Sequence, residues 1–218
     1  MSVKLYPSTM CVDFDRLQEE ISMMDEAGAD GFHVDIMDGR FVKNLAPLLN
    51  LTHVRKLTQK PLGVHLMVEN PFIYLPHVYE CNPEVIYIHY ELPECKKYLD
   101  DIHAHGVQVG LVVNPGTIIS DFKHLLPMID KLLVMRVTPG FIGQKNIPEV
   151  EDKIDQLVNM PNRNFEITLD GCVTHEVIRK WSSMGVERFV CGMSSKIFDG
   201  GRKCSESFYN AILKLRTN

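Results

Sequence analysis

The feature that most constrains this chain is its rhythm. Short apolar runs alternate with amphipathic stretches along nearly its whole length. Residues 3–8, 31–37, 62–67, 85–89, 108–113, 131–137, 165–169 and 188–191 read as strands, with Gly28, Pro61, Gly106 and Gly185 among the punctuation between units. Residues 14–27, 47–57, 71–80, 95–105, 118–125, 147–158, 174–184 and 205–215 read as helices. In the first of these, Phe14, Leu17, Ile21 and Met24 recur at helical spacing, and Asp13 or Asp15 can cap it. Pro47 opens the second, and Pro76 interrupts the pattern of the third. Strand–helix alternation without a break implies a parallel sheet with helices outside it. Eight such units predict an α/β chain folded as a closed (β/α)8 TIM barrel. The competing architecture is an open doubly wound sheet. Its usual dinucleotide fingerprint after the first strand is absent, because Pro7-Ser8-Thr9-Met10 is no GxGxxG. With 218 residues, 45% of them hydrophobic, and no linker-like segment, residues 1–218 are expected to form a single barrel domain.

Function in such barrels sits at the C-terminal ends of the strands. The unusual residues of this chain fall there. The second expected strand carries His33, Asp35 and Met37 at i, i+2 and i+4, hence on one face. The third carries His65 and Met67 with the same spacing, and the seventh ends in Asp170-Gly171. A buried carboxylate without a partner costs roughly several kcal/mol, so Asp35 needs a cation or strong donor beside it. The plain reading is a core histidine bonded to a core aspartate. The sharper one is a divalent metal site made of His33, Asp35, His65 and Asp170. Glycines at the ends of strands six to eight, Gly140, Gly143, Gly171 and Gly192, let backbone N–H groups approach an anion and point to a phosphate grip. Met37, Met67 and Met135 read either as core filler or as a dry lining beside the metal. His89, two residues before Glu91, reads as a structural histidine in preference to a support for the site. His53, His77, His103, His105, His124 and His175 fall on expected helices or their ends and read as solvated.

Composition excludes several other classes. Net charge is −5 and no basic cluster is present, which argues against nucleic acid as a partner. The first seven residues have no apolar signal core, and no run is long enough to span a membrane, so a soluble, cytoplasmic protein is expected. Cys11, Cys81, Cys95, Cys172, Cys191 and Cys204 form no CxxC pair and are expected to be reduced thiols. A Schiff-base aldolase would need a lysine inside a strand end. Lys131 starts its strand and Lys196 lies in a loop. A non-catalytic phosphosugar-binding barrel is the other rival, and the pair Asp35 and Asp170 argues against it.

Four stretches carry a family resemblance: His33-Val34-Asp35-Ile36-Met37-Asp38-Gly39, His65-Leu66-Met67-Val68, Pro139-Gly140-Phe141-Ile142-Gly143-Gln144 and Leu169-Asp170-Gly171. Together they resemble the signatures of the ribulose-phosphate 3-epimerase family, from Pro7-Ser8 to Ile197-Phe198. The resemblance implies a (β/α)8 barrel, inversion at C3 of a phosphorylated ketose, and one divalent metal ion, Zn first, with Fe, Mn or Co also compatible. It implies no nucleotide cofactor and assembly as a homo-oligomer, a dimer or hexamer. Carried over by residue, the ligands are His33, Asp35, His65 and Asp170, and the acid/base pair is Asp35 and Asp170. The substrate contacts are Ser8, His65, Gly140, Phe141, Ile142, Gly143, Asp170, Gly171, Cys172, Gly192, Met193 and Ser194, with Met37, Met67 and Met135 lining the ene-diolate. Within the family, residues 7–13 and 54–62, and Cys172, resemble the allulose-6-phosphate 3-epimerase branch. D-allulose 6-phosphate and D-fructose 6-phosphate are therefore the expected pair, with D-ribulose 5-phosphate and D-xylulose 5-phosphate as the alternative. Lys43 stands where the family commonly has proline. Arg136 and Thr138 replace a small hydroxyl residue and a polar or acidic one, and the loop 192–198 is one residue longer than usual.

Overall fold

The computed structural model describes residues 3–192. The elements are β1 Lys4–Pro7, α1 Leu17–Glu26, β2 Phe32–Asp38, β3 Leu45–Ala46, α2 Leu49–Leu57, β4 Leu62–Met67, α3 Leu75–Glu80, β5 Val85–His89, α4 Cys95–Ala104, β6 Gln108–Val113, α5 Ile119–Phe122, β7 Lys131–Met135, α6 Val150–Val158, β8 Glu166–Asp170, α7 His175–Ser183 and β9 Arg188–Cys191. All strands except β3 pair in parallel, in the order β1-β9-β8-β7-β6-β5-β4-β2. A parallel bridge between Ser8 and His33 joins β1 to β2 and closes the (β/α)8 barrel. The helix expected at 205–215 lies outside the described residues. No helix among the described residues is long and apolar enough to cross a membrane.

The β1–β2 seam is thin for a chemical reason. Alternate residues of a parallel strand donate to the same neighbour. Lys4 and Ser8 donate to Glu187 and Cys191, on the β9 side. Leu5 and Pro7 therefore face β2. The Leu5 N–H is taken by the Asp30 carboxylate at 2.8 Å, and proline has no N–H to give.

Local chemistry also moves several helix ends. Asp13 accepts from the Asp15 N–H and caps a 3-10 turn, Phe14–Arg16, so α1 starts later than the apolar spacing predicts. Pro127 holds residues after α5 in a 3-10 turn, Lys123–Met128. The Ile147 N–H bonds to the Arg136 carbonyl at 2.8 Å, which delays α6 to Val150. Pro76 is tolerated because it sits in the first turn of α3, where its missing N–H costs nothing. Strand β3 has no counterpart among the expected strands. It pairs antiparallel with the end of β2, Met37 to Ala46 and Asp38 to Leu45.

The strands bury both faces. Phe32, Val34, Ile36, Val64, Leu66, Ile88, Leu111, Val134 and Leu169 pack in the core with the helices. The alternate set fills the bore. Halfway along it, the Tyr87 ring lies against Gly110, where a Cβ would come within 2.3 Å of the ring, and its hydroxyl meets Thr168 Oγ1 at 3.1 Å. At the N-terminal end the bore is closed by charge. Arg188 makes a bidentate pair with Glu84, both bonds 2.9 Å. Lys131 and Lys4 bond Glu166 at 2.7 and 3.1 Å, and the Arg188 guanidinium lies 4.0 Å from the Tyr6 ring centroid. Removing one partner of a buried pair leaves the other uncompensated. Arg188→Ala is thus expected to cost about 3–5 kcal/mol of stability. Urea unfolding measures it, and an unchanged midpoint would show that this plug contributes nothing.

Candidate active site

Side-chain alternation aims His33, Asp35 and Met37 of β2 into the bore, along with His65 and Met67 of β4. Parallel register then sets Asp35 beside His65, Met37 beside Met67, and Met135 of β7 beside Asp170 of β8. The four polar residues converge. His33 Nε2 is 3.2 Å from Asp35 Oδ1 and 3.6 Å from Asp170 Oδ2. His65 Nδ1 is 3.0 Å from Asp35 Oδ1 and 3.9 Å from Asp170 Oδ2. One donor atom from each of the four lies within 4.8 Å of the others. Ser8 Oγ donates to Asp35 Oδ2 at 3.2 Å.

The donor set fits a divalent ion. Two atoms each about 2.1 Å from one ion at a tetrahedral angle lie about 3.4 Å apart, the scale of the separations seen here. Two imidazoles and two carboxylates, three of these residues buried, are also a charge pattern that a cation reconciles. Burial opposes ionisation of Asp35, but the charge and hydrogen bonds of His33, then His65, outweigh it and hold the carboxyl well below the usual range. Asp170 shifts the other way: burial pushes it up, against the pull of His33 and with the help of the Asp35 charge.

A cleft opens above the quartet, enclosing ≈ 620 Å³ with its share of open solvent included. Its lining includes Ser8, Asp35, His65, Asp170, Met37, Met67 and Met135, and the loop residues Gly140, Phe141, Ile142, Gly143, Gly171, Cys172 and Gly192. The three methionines are buried, so they are a dry wall of this cavity as well as core. Met193 and Ser194 lie outside the described residues. Gly171 has φ +95°, and a Cβ on it would come within 2.5 Å of the Val137 side chain. Cys172 follows with φ +48°, a conformation unfavourable for a residue with a Cβ. Arg136 stabilises this turn from outside the cavity. Its Nη1 donates to the Gly171 and Cys172 carbonyls at 3.2 and 2.7 Å, and its Nη2 to Glu151 at 2.7 Å.

The sequence reading missed part of the wall. Met10, Cys11, Val137, Thr138, Gln144, Val173 and Val190 also line the cavity. Gln144 and Thr138 adjoin the glycine stretch and were legible by position. Cys11 and Val190 were not, because only barrel closure brings β1 and β9 together. His89, preferred as a structural histidine, touches the quartet: its Nε2 is 2.9 Å from His65 Nε2. Burial pushes His89 down to about 4, against the pull of its hydrogen bond to Glu91.

Residues 4–198 match the model of the ribulose-phosphate 3 epimerase family. A ribulose-phosphate 3-epimerase of Synechocystis is 42% identical over 164 residues, 73% of this chain and 71% of that protein. One from Bacillus subtilis is 35% identical over 197 residues, 87% and 90% of the two chains. Among solved structures, a mutant tryptophan synthase α-subunit from Pyrococcus furiosus superposes with TM-score 0.71 at 14% identity, covering 98% of this chain and 97% of its own, a likeness of fold alone. The matched length and the identities together place the chain in the ribulose-phosphate 3-epimerase family of isomerases.

Proposed function

We propose that the protein inverts C3 of a phosphorylated ketose, with D-ribulose 5-phosphate and D-xylulose 5-phosphate as the pair. The observation that carries this reading is the convergence of Asp35 and Asp170 on one buried centre at the floor of a small-molecule cavity. The C3 proton of a 2-ketose is acidified by the neighbouring carbonyl, and its removal gives a planar ene-diolate. Inversion needs one group to take the proton and another to return one on the opposite face. Asp35 and Asp170 come from β2 and β8, two strands separated by β9 and β1, so a substrate seated between them meets a carboxylate on each side. His33, Asp35, His65 and Asp170 would hold the divalent ion, with Zn²⁺ first and Fe, Mn or Co compatible with the same donors. When bound, the ion supplies Lewis-acid stabilisation of negative charge at the substrate oxygens. Ser8 holds Asp35 by its second oxygen, and Met37, Met67 and Met135 exclude water, which strengthens each charge interaction. Gly140, Gly143, Gly171 and Gly192 let backbone N–H groups approach the phosphate.

The pentose is preferred because the relatives reported above are named ribulose-phosphate 3-epimerases. The lean toward allulose 6-phosphate, drawn from residues 7–13, 54–62 and Cys172, gains no support from them. A turnover panel decides: kcat/KM is expected to be higher with ribulose 5-phosphate than with allulose 6-phosphate. The reverse order restores the hexulose, and no turnover or C3 proton exchange with either leaves a binding barrel. The phosphate grip has its own test. Gly171→Ala places a Cβ against Val137 and forces an unfavourable φ, a strain of about 1–3 kcal/mol. KM for the phosphorylated ketose is expected to rise about tenfold. A rise matched by the unphosphorylated sugar would locate the defect away from phosphate.

A further inference from the structure

His65 uses both ring nitrogens, and the second leads away from the cavity. Its Nε2 lies 2.9 Å from His89 Nε2, and His89 Nδ1 lies 3.0 Å from Glu91 Oε2. The other Glu91 oxygen accepts from the Asn114 N–H at 2.9 Å and from the Thr117 hydroxyl. Lys153 clamps the same loop by donating to the carbonyls of Asn114 and Pro115 at 2.7 and 2.9 Å. His89 is fully buried, its ring stacked 5.0 Å from that of His65 and packed 4.7 Å from Phe41. The chain of contacts from Asn114 to Asp35 is continuous.

The direction of each bond follows from counting protons. The Asn114 amide is a fixed donor, and a carboxylate has none to give, so Glu91 accepts on both sides. His89 must then carry its proton on Nδ1 and offer a lone pair at Nε2. Two imidazole nitrogens 2.9 Å apart hold one proton between them, so His65 carries it on Nε2. In a neutral His65 that makes Nδ1, the atom that faces Asp35 and Asp170, the nitrogen whose lone pair is offered once an ion takes the place of the proton it shares with Asp35. We propose that His89 and Glu91 are positioning residues that set the tautomer of His65, leaving Nδ1 free to ligate a divalent metal. This inference rests on the metal reading above and adds the device that prepares one of its ligands.

The test compares Zn²⁺-loaded wild-type enzyme with Glu91→Gln, His89→Leu and His89→Gln. Glu91→Gln keeps size and shape but breaks the count. With its amide oxygen held by Asn114, its NH₂ faces His89 Nδ1, which must turn acceptor. His89 then donates from Nε2, and the proton of His65 moves to the metal-facing nitrogen. Zn²⁺ affinity, measured by competition with a chromogenic chelator, is expected to fall about 10–100-fold in Glu91→Gln and in His89→Leu. His89→Gln is expected to restore it, since its carbonyl accepts from His65 while its NH₂ donates to Glu91. Long-range ¹H–¹⁵N NMR of the wild-type imidazoles is expected to show His89 protonated on Nδ1 and His65 on Nε2. Wild-type affinity in Glu91→Gln, or His65 coordinating through Nε2, overturns the relay while the metal site stands. A wild-type protein that binds no Zn²⁺, Fe²⁺, Mn²⁺ or Co²⁺ overturns the metal reading and the relay with it.

Discussion

Asp35→Asn and Asp170→Asn are each expected to abolish net epimerisation while leaving half of the proton chemistry intact. The reason is geometric. Inversion at a planar carbon requires proton exchange on both faces, and the described bore brings two carboxylates to one centre from strands on either side of the β9–β1 pair. Asparagine preserves size and one oxygen but cannot accept the C3 proton. The loss is expected at the upper end of the ~10²–10⁴-fold range for general acid–base catalysis, or beyond it, because a ligand is weakened as well. The two variants are expected to differ in what remains. In D₂O, each should exchange the C3 proton of only the epimer whose proton faces the surviving aspartate. NMR of the C3–H signal, for both variants and both epimers, reads this directly. Equal washout of both epimers by metal-loaded variants would show that one group serves both faces. The two sites are not electrostatically equivalent: His33 and His65 hold Asp35 down, while burial holds Asp170 up. Ser8 bonds Asp35 as well, so Asp35→Asn disturbs the more densely bonded of the pair.

His65→Ala is expected to lower metal content and activity together. His65 is fully buried, and its Nδ1 lies 3.0 Å from Asp35 and 3.9 Å from Asp170. Removing it leaves Asp35 with fewer partners and the centre with one imidazole. If the ion contributes several kcal/mol of charge stabilisation, losing it corresponds to a fall of roughly 10³-fold or more in kcat/KM. Metal analysis of the purified variant and activity with and without added Zn²⁺ check the coupling. Full activity in wild-type protein stripped of metal, with chelator present, would remove the ion from the mechanism. This result separates from the Glu91→Gln test, because Glu91 touches no atom of the quartet and acts through His89.

Much of the fold was legible because its signals are local. Short apolar runs, with prolines and glycines between units, mark 62–67, 85–89, 108–113 and 188–191, and the strands Leu62–Met67, Val85–His89, Gln108–Val113 and Arg188–Cys191 run over those residues. Period-two spacing likewise put His33, Asp35 and Met37 on one face, and the bore is where they point. Helix starts were less legible. A side-chain cap at Asp13 or a backbone bond from Ile147 to Arg136 outweighs the apolar period over the few residues concerned. Strand β3 escaped notice because two residues carry no period, and only the Met37–Ala46 and Asp38–Leu45 pairing defines them.

Arg136 and His89 show the limit most clearly. From the sequence, Arg136 stood at the seat of a small hydroxyl residue. In the structure Met135 takes the inward position, so Arg136 points outward and binds the Gly171 and Cys172 carbonyls instead. His89 and Glu91 are two residues apart in the chain, yet their role depends on His65, 24 positions earlier, and on Asn114, 23 positions later. Sequence alone determined the eight-unit rhythm, the face on which each strand residue lies, and the residue types able to bind a metal or move a proton. Tertiary structure decided which of those faces meet, which nitrogen of His65 looks inward, and which buried histidine supports the site. Hydrogen-bond partners across neighbouring strands are chosen by register and barrel closure, and neither leaves a local mark in the chain.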